Sequence, residues 1–329
     1  MAEACSMNVI KPGLATTVQD LGRVGFYHLG IPQSGAMDRY SFRAANLLVG
    51  NAEQDAALEI ALLGPELHFS HATLVAVTGA DLPPKVDGLP MPRYEGFVVP
   101  AGSALSFGYL KAGARAYLAV AGGIDVPLVL GSRSTYALGA FGGYQGRKLA
   151  AGDVLALGPS THAPQATRTL TAELQTPLAR EVQIRVMPGL YFHRLTEEAS
   201  GTFFADTWSV APEADRIGYR YRHGRPLQFK EREQPFGAGS DPSNIVDAGY
   251  PIGSIQVPGG LEPIILHRDA VSGGGYAMIG TVISADMDSI AQMQPNHKAH
   301  FVAVDMGKAL AARASAQERL TRLRAALAR

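Results

Sequence analysis

The most informative stretch of the chain consists of three blocks near its start: TVQDLGR at residues 17–23, SGAMD at 34–38 and ANLLVGN at 45–51. Together they combine an amide, two carboxylates, an arginine, a serine and two asparagines with several glycines. Glycine permits positive φ and close backbone approach, and an arginine fork binds a carboxylate or phosphate through two hydrogen bonds. The blocks therefore indicate either one wall of a binding site or a turn-rich surface with ordinary ion pairs.

The composition is that of a compact protein rather than a disordered one. The chain has 329 residues, of which 47% are hydrophobic and 18% charged, enough for the cores of two domains. Lysine plus arginine (29) equal aspartate plus glutamate (29), so the formal net charge is zero. This balance gives no indication of nucleic acid or a membrane as a partner.

The first residues have neither the basic nor the apolar part of a signal peptide, and no apolar run approaches the length of a membrane helix. The single cysteine, Cys5, has no internal partner for a disulfide. We therefore expect a cytoplasmic location.

Glycines (37) and prolines (21) divide the chain into short apolar runs, which predict strands. These runs are residues 72–77, 96–99, 115–121, 154–157, 182–187, 252–257, 263–267, 276–284 and 299–304. Helices are predicted at 38–49, 54–59, 190–198, 288–294 and in the C-terminal tail, with Ser34 or Asp38 capping the first. Many strands and few helices predict a mainly β protein of barrels or sandwiches.

A stretch rich in proline, threonine and alanine predicts the boundary between two domains. We expect an N-terminal domain at 1–160, a linker at 161–180, a C-terminal domain at 181–307 and a basic amphipathic helical tail at 308–329. The tail carries six basic residues against one glutamate, with leucines at helical spacing. A helix docked by one face is favoured over a membrane-binding helix.

Several standard signatures are missing from the sequence. It has no Walker phosphate loop, GxGxxG turn after a strand, GxSxG elbow, CxxC or HExxH. His68 and His71, like His297 and His300, would point to opposite faces of a strand. No metal site is predicted.

The remaining blocks, read in order, carry a resemblance to a known family. They are TVQDLGR, SGAMD, ANLLVGN, GPEL, TGAD, RAYLAVAGGI, LGSRST, GRKLAAGD, DRIG, IQVP, PIIL and GGY, spread over about residues 8–304. In this order they resemble the biotin-dependent carboxyltransferase family, also called allophanate hydrolase subunit 2. Its free-standing bacterial members are of the 5-oxoprolinase C-subunit type. The resemblance implies two cyclophilin-like β-barrel domains, to which the tail adds a C-terminal helix.

The chain departs from the family pattern in three places. Residues 270–277 read AVSGGGYA where the family usually has Gln-Thr-Thr-Gly-Gly-Tyr-Pro, so the amide and both threonines are missing. Ala214 replaces a serine in Ser-Asp-Arg-Met-Gly, and residues 294–298 replace a Pro-Gly-Asp turn. The first departure affects the identity of the substrate more than it affects the fold.

The family's reactions act on an amide-like group, which requires donors facing the amide oxygen and a base near the nitrogen or an attacking water. We expect catalytic roles, as oxyanion, carboxylate or phosphate binders or as bases and orienting groups, for Asp20, Arg23, Asp38, Asp215, Arg216 and Asp269. We expect substrate-binding roles for Gln19, Ser34, Asn46, Thr78, Arg133, Ser134, Thr135, Gln256 and Tyr276. The alternative for each Asp–Arg pair is a structural ion pair that fixes a turn.

The resemblance implies one component of a multi-subunit, ATP-dependent 5-oxoprolinase-type amidohydrolase, which opens the lactam of 5-oxoproline to glutamate. It implies two partners, a companion of the allophanate hydrolase subunit 1 type and a third, lactam-hydrolase subunit, with ATP used by the complex. One alternative is a carboxyltransferase that moves carboxyl from carboxybiotin to urea or a related amide. Because no Met-Lys-Met attachment sequence occurs, biotin would then be carried on a separate subunit. A further alternative is a non-catalytic regulatory partner of a kinase-inhibitor protein.

Overall fold

A computed structural model describes residues 5–160 and 168–328. It contains two compact units, each built from segments that are not contiguous in sequence. Unit 1 comprises Met1–Arg23, Ser34–Leu178 and Glu318–Arg329. Unit 2 comprises Val24–Gln33 and Ala179–Gln317.

Unit 1 is made of two antiparallel sheets and a helix, α1 (Arg39–Leu48). Its strands are β1 (Ser6–Lys11), β2 (Ala15–Gln19), β3 (Ala57–Ala61), β4 (Glu66–Phe69), β5 (Thr73–Asp81), β6 (Pro84–Val86), β7 (Leu89–Pro90), β8 (Gly96–Val99), β9 (Ala104–Phe107), β10 (Ala112–Val120) and β11 (Val154–Ala156). One sheet has the order β11-β1-β4-β9-β6-β7 and the other β2-β3-β10-β5-β8.

The five-stranded sheet is buried on both of its faces. One face shares an apolar cluster with the six-stranded sheet, to which Val18, Leu58 and Leu118 contribute. The other face packs against α1, where Phe42 lies edge-on to Tyr117. Burial on both faces explains why β10 reads as a nearly continuous apolar run instead of alternating.

Unit 2 is a closed barrel with a small additional sheet. Its strands are β12 (Glu181–Pro188), β13 (Trp208–Val210), β14 (Gly218–Arg222), β15 (Asn244–Gly249), β16 (Ser254–Gln256), β17 (Ile264–Leu266), β18 (Gly273–Tyr276), β19 (Met278–Val282) and β20 (Lys298–Ala303). The barrel order is β12-β19-β16-β17-β14-β13-β20, and parallel pairing of β12 with β20 closes it. Strands β15 and β18 pair separately.

Aromatic side chains fill part of the interior of unit 2. The rings of Phe203 and Phe301 stack at 4.6 Å, beside the buried Trp208. Phe203 lies on α2 (Glu197–Ala205), while a short helix, α3 (Met287–Ala291), precedes β20. Closure of the sheet leaves no open edge on this set of strands.

The last helix, α4 (Met306–Leu327), begins in unit 2 and ends in unit 1. Leu320, Leu323 and Leu327 are buried in the cluster that also contains α1. Arg324 forms an ion pair with Glu53, so part of the basic charge of the tail is used within unit 1. The helix docks by one face, and no helix of the described residues is both long and apolar enough to span a bilayer.

The predicted fold class, mainly β with a C-terminal helix, is confirmed. Each of the nine predicted apolar runs overlaps a strand. The strand pairing closes a barrel in unit 2 and gives two sheets in unit 1. Of the described part of the predicted linker, residues 168–178 lie in unit 1, with Leu170 and Leu174 buried, and Ala179 and Arg180 lie in unit 2; residues 161–167 lie outside the described residues.

Two helix predictions were wrong in place or type. Residues 54–59 form a turn and the start of β3, because pairing with β2 and β10 overrides the helix propensity of Ala, Leu and Glu. The helix expected at 190–198 begins only at Glu197. Thr196 is its N-cap, and the Thr196 side chain accepts a hydrogen bond from the Ala199 N–H.

Packing of α4 on unit 1 can be tested with a pair of leucine variants. Leu323→Ala removes a side chain that is 0% exposed, so we expect the free energy of unfolding to fall by about 2–5 kcal/mol. Leu310→Ala, on the same helix at 54% exposure, should change it little. Urea denaturation followed by circular dichroism measures both, and equal effects would contradict the docked arrangement.

Candidate functional site

The carboxylate of Asp20, just after β2, organises the loop at residues 132–134. Its Oδ1 accepts hydrogen bonds from the Gly22 N–H (2.7 Å) and the hydroxyls of Ser132 (2.7 Å) and Ser134 (2.5 Å). Its Oδ2 accepts the N–H of Arg133 at 2.6 Å. Both carboxylate oxygens are therefore occupied, and Asp20 acts on this loop as a positioning group.

Arg23 is buried against the same loop. It is 1% exposed, its Nη2 donates to the carbonyl of Ser134 at 2.5 Å, and its guanidinium lies 4.9 Å from the centre of the Phe141 ring. A Cβ on Gly142 would lie 2.8 Å from Arg23 Nη2 and would also collide with the Ser134 carbonyl. Gly142 has φ +70°, so both space and conformation require glycine there.

An open cleft of about 560 Å³ borders this region of unit 1. Its lining is mainly apolar and consists of Asp125, Val126, Pro127, Val129, Ala140, Phe141, Gly142, Gly143, Tyr144, Gln145, Gly146, Val154 and Ala156. Arg133 donates to the carbonyl of Val126 at 2.8 Å and pairs with Asp125 at 3.4 Å, so it holds one wall. The volume is in the range of small-molecule sites.

Gln19, Ser34 and Thr135 lie beside the Asp20 cluster. Gln19 Nε2 donates to the Thr17 hydroxyl (3.0 Å) and to the Thr135 carbonyl (3.3 Å), while the Thr135 hydroxyl donates to Val18. Ser34 has φ +53° and precedes Gly35, whose backbone packs on that of Leu21 and Gly22. Gln19 and Thr135 hold the end of β2 in place, whereas the Ser34 hydroxyl is buried without a hydrogen bond to the described residues.

Three further predicted residues have structural partners around α1. Asp38 caps the helix, accepting from the Ser41 N–H (2.9 Å) and hydroxyl (2.6 Å). The Thr78 hydroxyl donates to the Ser41 carbonyl, and the Asn46 amide bonds the Asp55 carbonyl. All three side chains are fully buried, so the structure favours the structural alternative for them.

A buried polar network that the sequence reasoning missed lies next to the cap. The Tyr117 hydroxyl accepts from the Asp38 N–H (2.8 Å) and donates to Glu59 Oε2 (2.8 Å), which also accepts from the Met37 N–H. Arg115 lies 3.8 Å from Glu59. A glutamate inside the apolar run ALEIA was the available signal, since an unpaired buried charge is costly.

In unit 2, Arg216 and Asp269 form a two-point ion pair. Arg216 Nε and Nη2 donate to the two oxygens of Asp269 at 2.7 and 3.1 Å, and the Asp269 N–H donates to the Arg216 carbonyl. Asp215, the preceding residue, is exposed. Its Oδ1 accepts the N–H groups of Ile217 and Gly218, and its Oδ2 has no hydrogen bond to the described residues.

Gln256 and Tyr276 meet around a second tyrosine in unit 2. The Tyr250 hydroxyl lies 2.6 Å from the Gly274 carbonyl and 2.7 Å from the Tyr276 carbonyl, and it accepts the Tyr276 N–H. Burial raises the pKa of Tyr250, and this is the largest effect on it. Hydrogen bonds with the Tyr276 backbone and the Gln256 side chain act in the opposite direction and lower the pKa. Tyr276 is 42% exposed, so its ring is available to a ligand.

The structure thus brings the predicted residues together in separate groups within each unit. Asp20, Arg23, Gln19, Ser134, Thr135 and Arg133 form one group, and Arg216 with Asp269 forms another. Among the described residues no set of three or more His, Cys, Asp and Glu is placed to hold a metal ion.

Comparison with known proteins gives a match over most of the chain. Residues 29–303 match the family model described as carboxyltransferase domain, subdomain A and B. The chain is 36% identical to the C subunit of 5-oxoprolinase from Escherichia coli (strain K12), covering 94% of this chain and 95% of that protein. It is 37% identical to urea amidolyase of Saccharomyces cerevisiae (strain ATCC 204508 / S288c), over 91% of this chain.

The structural match agrees with the sequence matches. The crystal structure of K. lactis urea amidolyase superposes with a TM-score of 0.90 at 36% identity, over 98% of this chain. The chain spans only 17% of the yeast urea amidolyase and 20% of the K. lactis protein. Both matches are therefore to one region of much longer proteins.

Replacement of Asp20 tests its role in organising the loop. An asparagine cannot accept all four hydrogen bonds, so in Asp20→Asn we expect the amide protons of Gly22 and Arg133 to exchange faster with deuterium. Asp125→Asn changes a carboxylate that is 60% exposed and should leave these amides protected. Unchanged exchange in Asp20→Asn would show that other contacts hold the loop.

The buried tyrosine gives a pH-dependent prediction. Burial, and then the charges of Glu59 and Asp38, raise the pKa of Tyr117 well above its ordinary value of 10.0. Its contribution to stability is therefore present below about pH 10 and is lost as the pH rises further. Above pH 10 the free energy of unfolding of the parent protein should fall as the pH rises. In Tyr117→Phe this fall should be less steep, by at most about 1.4 kcal/mol per pH unit.

Urea denaturation between pH 8 and 11 measures this difference. Tyr109→Phe, at 91% exposure, is the control and should leave the pH dependence as it is. Equal alkaline slopes in Tyr117→Phe and the parent protein would contradict the assignment.

Proposed function

This chain belongs to the family of carboxyltransferase domains, subdomain A and B, and we propose that it is one component of a multi-subunit 5-oxoprolinase-type enzyme. In this proposal the complex uses ATP to open the lactam of 5-oxoproline to glutamate, in the cytoplasm. Its other components are a companion of the allophanate hydrolase subunit 1 type and a third, lactam-hydrolase subunit. The observation that carries the proposal is the match to the C subunit of 5-oxoprolinase over nearly the whole length of both chains.

The chemistry of a lactam defines what the site must supply. Amide resonance places electron density on the oxygen, so ring opening needs donors facing that oxygen and a base for the attacking water. Arg216 is suited to the first role because Asp269 fixes its guanidinium at two points. A donor whose orientation is already fixed needs no reorganisation as negative charge develops.

Asp215 is the predicted carboxylate best suited to act as a base. The carboxylate oxygens of Asp20, Asp38 and Asp269 are occupied by hydrogen bonds. Asp215 is exposed and has Oδ2 available, while Oδ1 fixes the turn. We therefore assign Asp20 and Asp38 to positioning, Asp269 to orienting Arg216, and Asp215 to proton transfer.

The residues of the unit 1 cleft do not fit ATP, and the sequence has no attachment motif for biotin. The cleft of unit 1 is lined by one carboxylate, Asp125, and by no lysine or arginine, which does not suit a triphosphate. The sequence also lacks a Walker loop and a biotin-attachment lysine motif. In the proposal both groups belong to other subunits, and no step of this chain runs through them.

Reconstitution tests the reaction. The chain mixed with its two companion subunits should release glutamate from 5-oxoproline only when ATP is present, and omission of the chain should abolish release. Glutamate is measured with a coupled dehydrogenase assay. Undiminished release without this chain would overturn the proposal.

A matched pair of carboxylate variants tests the base. In Asp215→Asn the amide oxygen can still accept from Ile217 and Gly218, so the turn is retained while the base is lost. We expect turnover to fall by about 10²–10⁴ fold with unchanged thermal stability. Glu213→Gln changes an exposed carboxylate two residues away and should keep full activity; full activity of Asp215→Asn would exclude it as the base.

The urea amidolyase matches favour a second candidate, transfer of carboxyl from carboxybiotin to urea or a related amide. The two reactions are separated by their products. Carboxylation of urea with added carboxybiotin and no glutamate from 5-oxoproline would favour the transferase.

A further inference from the structure

Two arginines of unit 2, Arg194 and Arg232, lie on adjacent segments, and neither forms an ion pair with a carboxylate of the described residues. Arg194 is the last residue of a short 3-10 turn, Phe192–Arg194, that follows β12, and Tyr191 precedes this turn. Arg232 lies in the segment leading to β15. The two segments run side by side: Leu195 bridges Phe229, and the Lys230 N–H donates to the Arg194 carbonyl at 2.8 Å.

The guanidinium of Arg194 makes no hydrogen bond or ion pair with the described residues. Its carbon lies 4.4 Å from the centre of the Tyr191 ring, and its Nη1 is buried without a partner. Stacking fixes the plane of the group and leaves its N–H edge free for a planar or tetrahedral oxyanion. The unused donors are therefore held in a defined orientation.

Arg232 is placed to complete the site. One nitrogen, Nη2, donates to the Asn244 carbonyl at 2.8 Å, while Nε is buried without a partner. The side chain of Gln234, two residues on, also has a buried and unpartnered oxygen. Glu231 and Glu233 flank Arg232 but are exposed and form no ion pair with the described residues.

The electrostatics around Arg194 agree with this geometry. Burial lowers the pKa of Arg194, and the charge of Arg232 lowers it further. Two cations close to each other in a partly buried position repel, and a bound anion removes that repulsion.

We propose that Arg194 and Arg232 form the cationic half of a binding site for an oxyanion, the carboxylate or phosphate of a small ligand. The assignment goes beyond the proposed reaction and does not require it. Arg194 supplies the fixed N–H edge, Arg232 a second positive charge, and Tyr191 the surface that orients Arg194.

Thermal unfolding of the full chain, titrated with anions at constant ionic strength, tests the site. Sodium phosphate is one probe. 5-Oxoproline is the other, compared with pyrrolidin-2-one, the same lactam without its carboxylate, and sodium chloride is the background salt. We expect a saturable rise in Tm with phosphate or with 5-oxoproline, and none with pyrrolidin-2-one. A response to phosphate alone assigns a phosphoryl ligand, and a response to 5-oxoproline assigns a carboxylate.

Variants show whether the response comes from the arginine pair. Arg194→Gln should weaken the apparent affinity at least tenfold while its Tm in chloride stays close to that of the parent, because no hydrogen bond to the described residues is lost. Arg232→Gln should weaken it similarly. Arg222→Gln, which removes a barrel arginine already paired with Glu213, should leave binding unchanged.

The absence of a saturable response to either anion, or equal affinity in Arg194→Gln and the parent protein, would overturn the proposal. If the chain binds anions through Arg194 but supports no glutamate release, the anion site is supported and the reaction proposed above is rejected. The two failures are therefore distinguishable.

Discussion

The carboxylate of Asp20 accepts hydrogen bonds from Gly22, Ser132, Ser134 and the backbone of Arg133, and the arrangement of the unit 1 site depends on these bonds. The Asp20 carboxylate is only 7% exposed, so burial has removed most of its hydration. Four hydrogen-bond donors at 2.5–2.7 Å replace the lost water. The compensation fixes the backbone around Arg133. The wall of the cleft that Arg133 holds thus depends on a residue far away in sequence.

Much of the fold could be predicted because its signals are local. Apolar runs bounded by glycine and proline located the strands, and the caps and leucine spacing located α1 and α4. The failure at 54–59 was also physical, since strand pairing on both sides of β3 outweighs the helix propensity of its residues. Propensity describes a segment alone, whereas a central strand is decided by its neighbours.

The candidate site could be predicted only in part. Glycine-flanked polar blocks identified Asp20, Arg23, Ser134 and Arg216, but the sequence could not separate a carboxylate with its oxygens occupied from one with a free oxygen. That distinction separates Asp20 from Asp215, and it depends on hydrogen bonds between residues distant in sequence. Arg194 and Arg232 could not be predicted from the sequence because neither lies in a glycine-rich block. They are brought near each other only by the pairing of their two segments.

The division of α4 between the two units has a consequence for the order of folding. Leu320, Leu323 and Leu327 cover an apolar surface of unit 1 to which Leu170 and Leu174 also belong. During synthesis that surface leaves the ribosome uncovered, and it stays so while all of residues 179–317 are made. Because exposed apolar surface promotes aggregation, unit 1 is most prone to aggregate in the period before α4 is made.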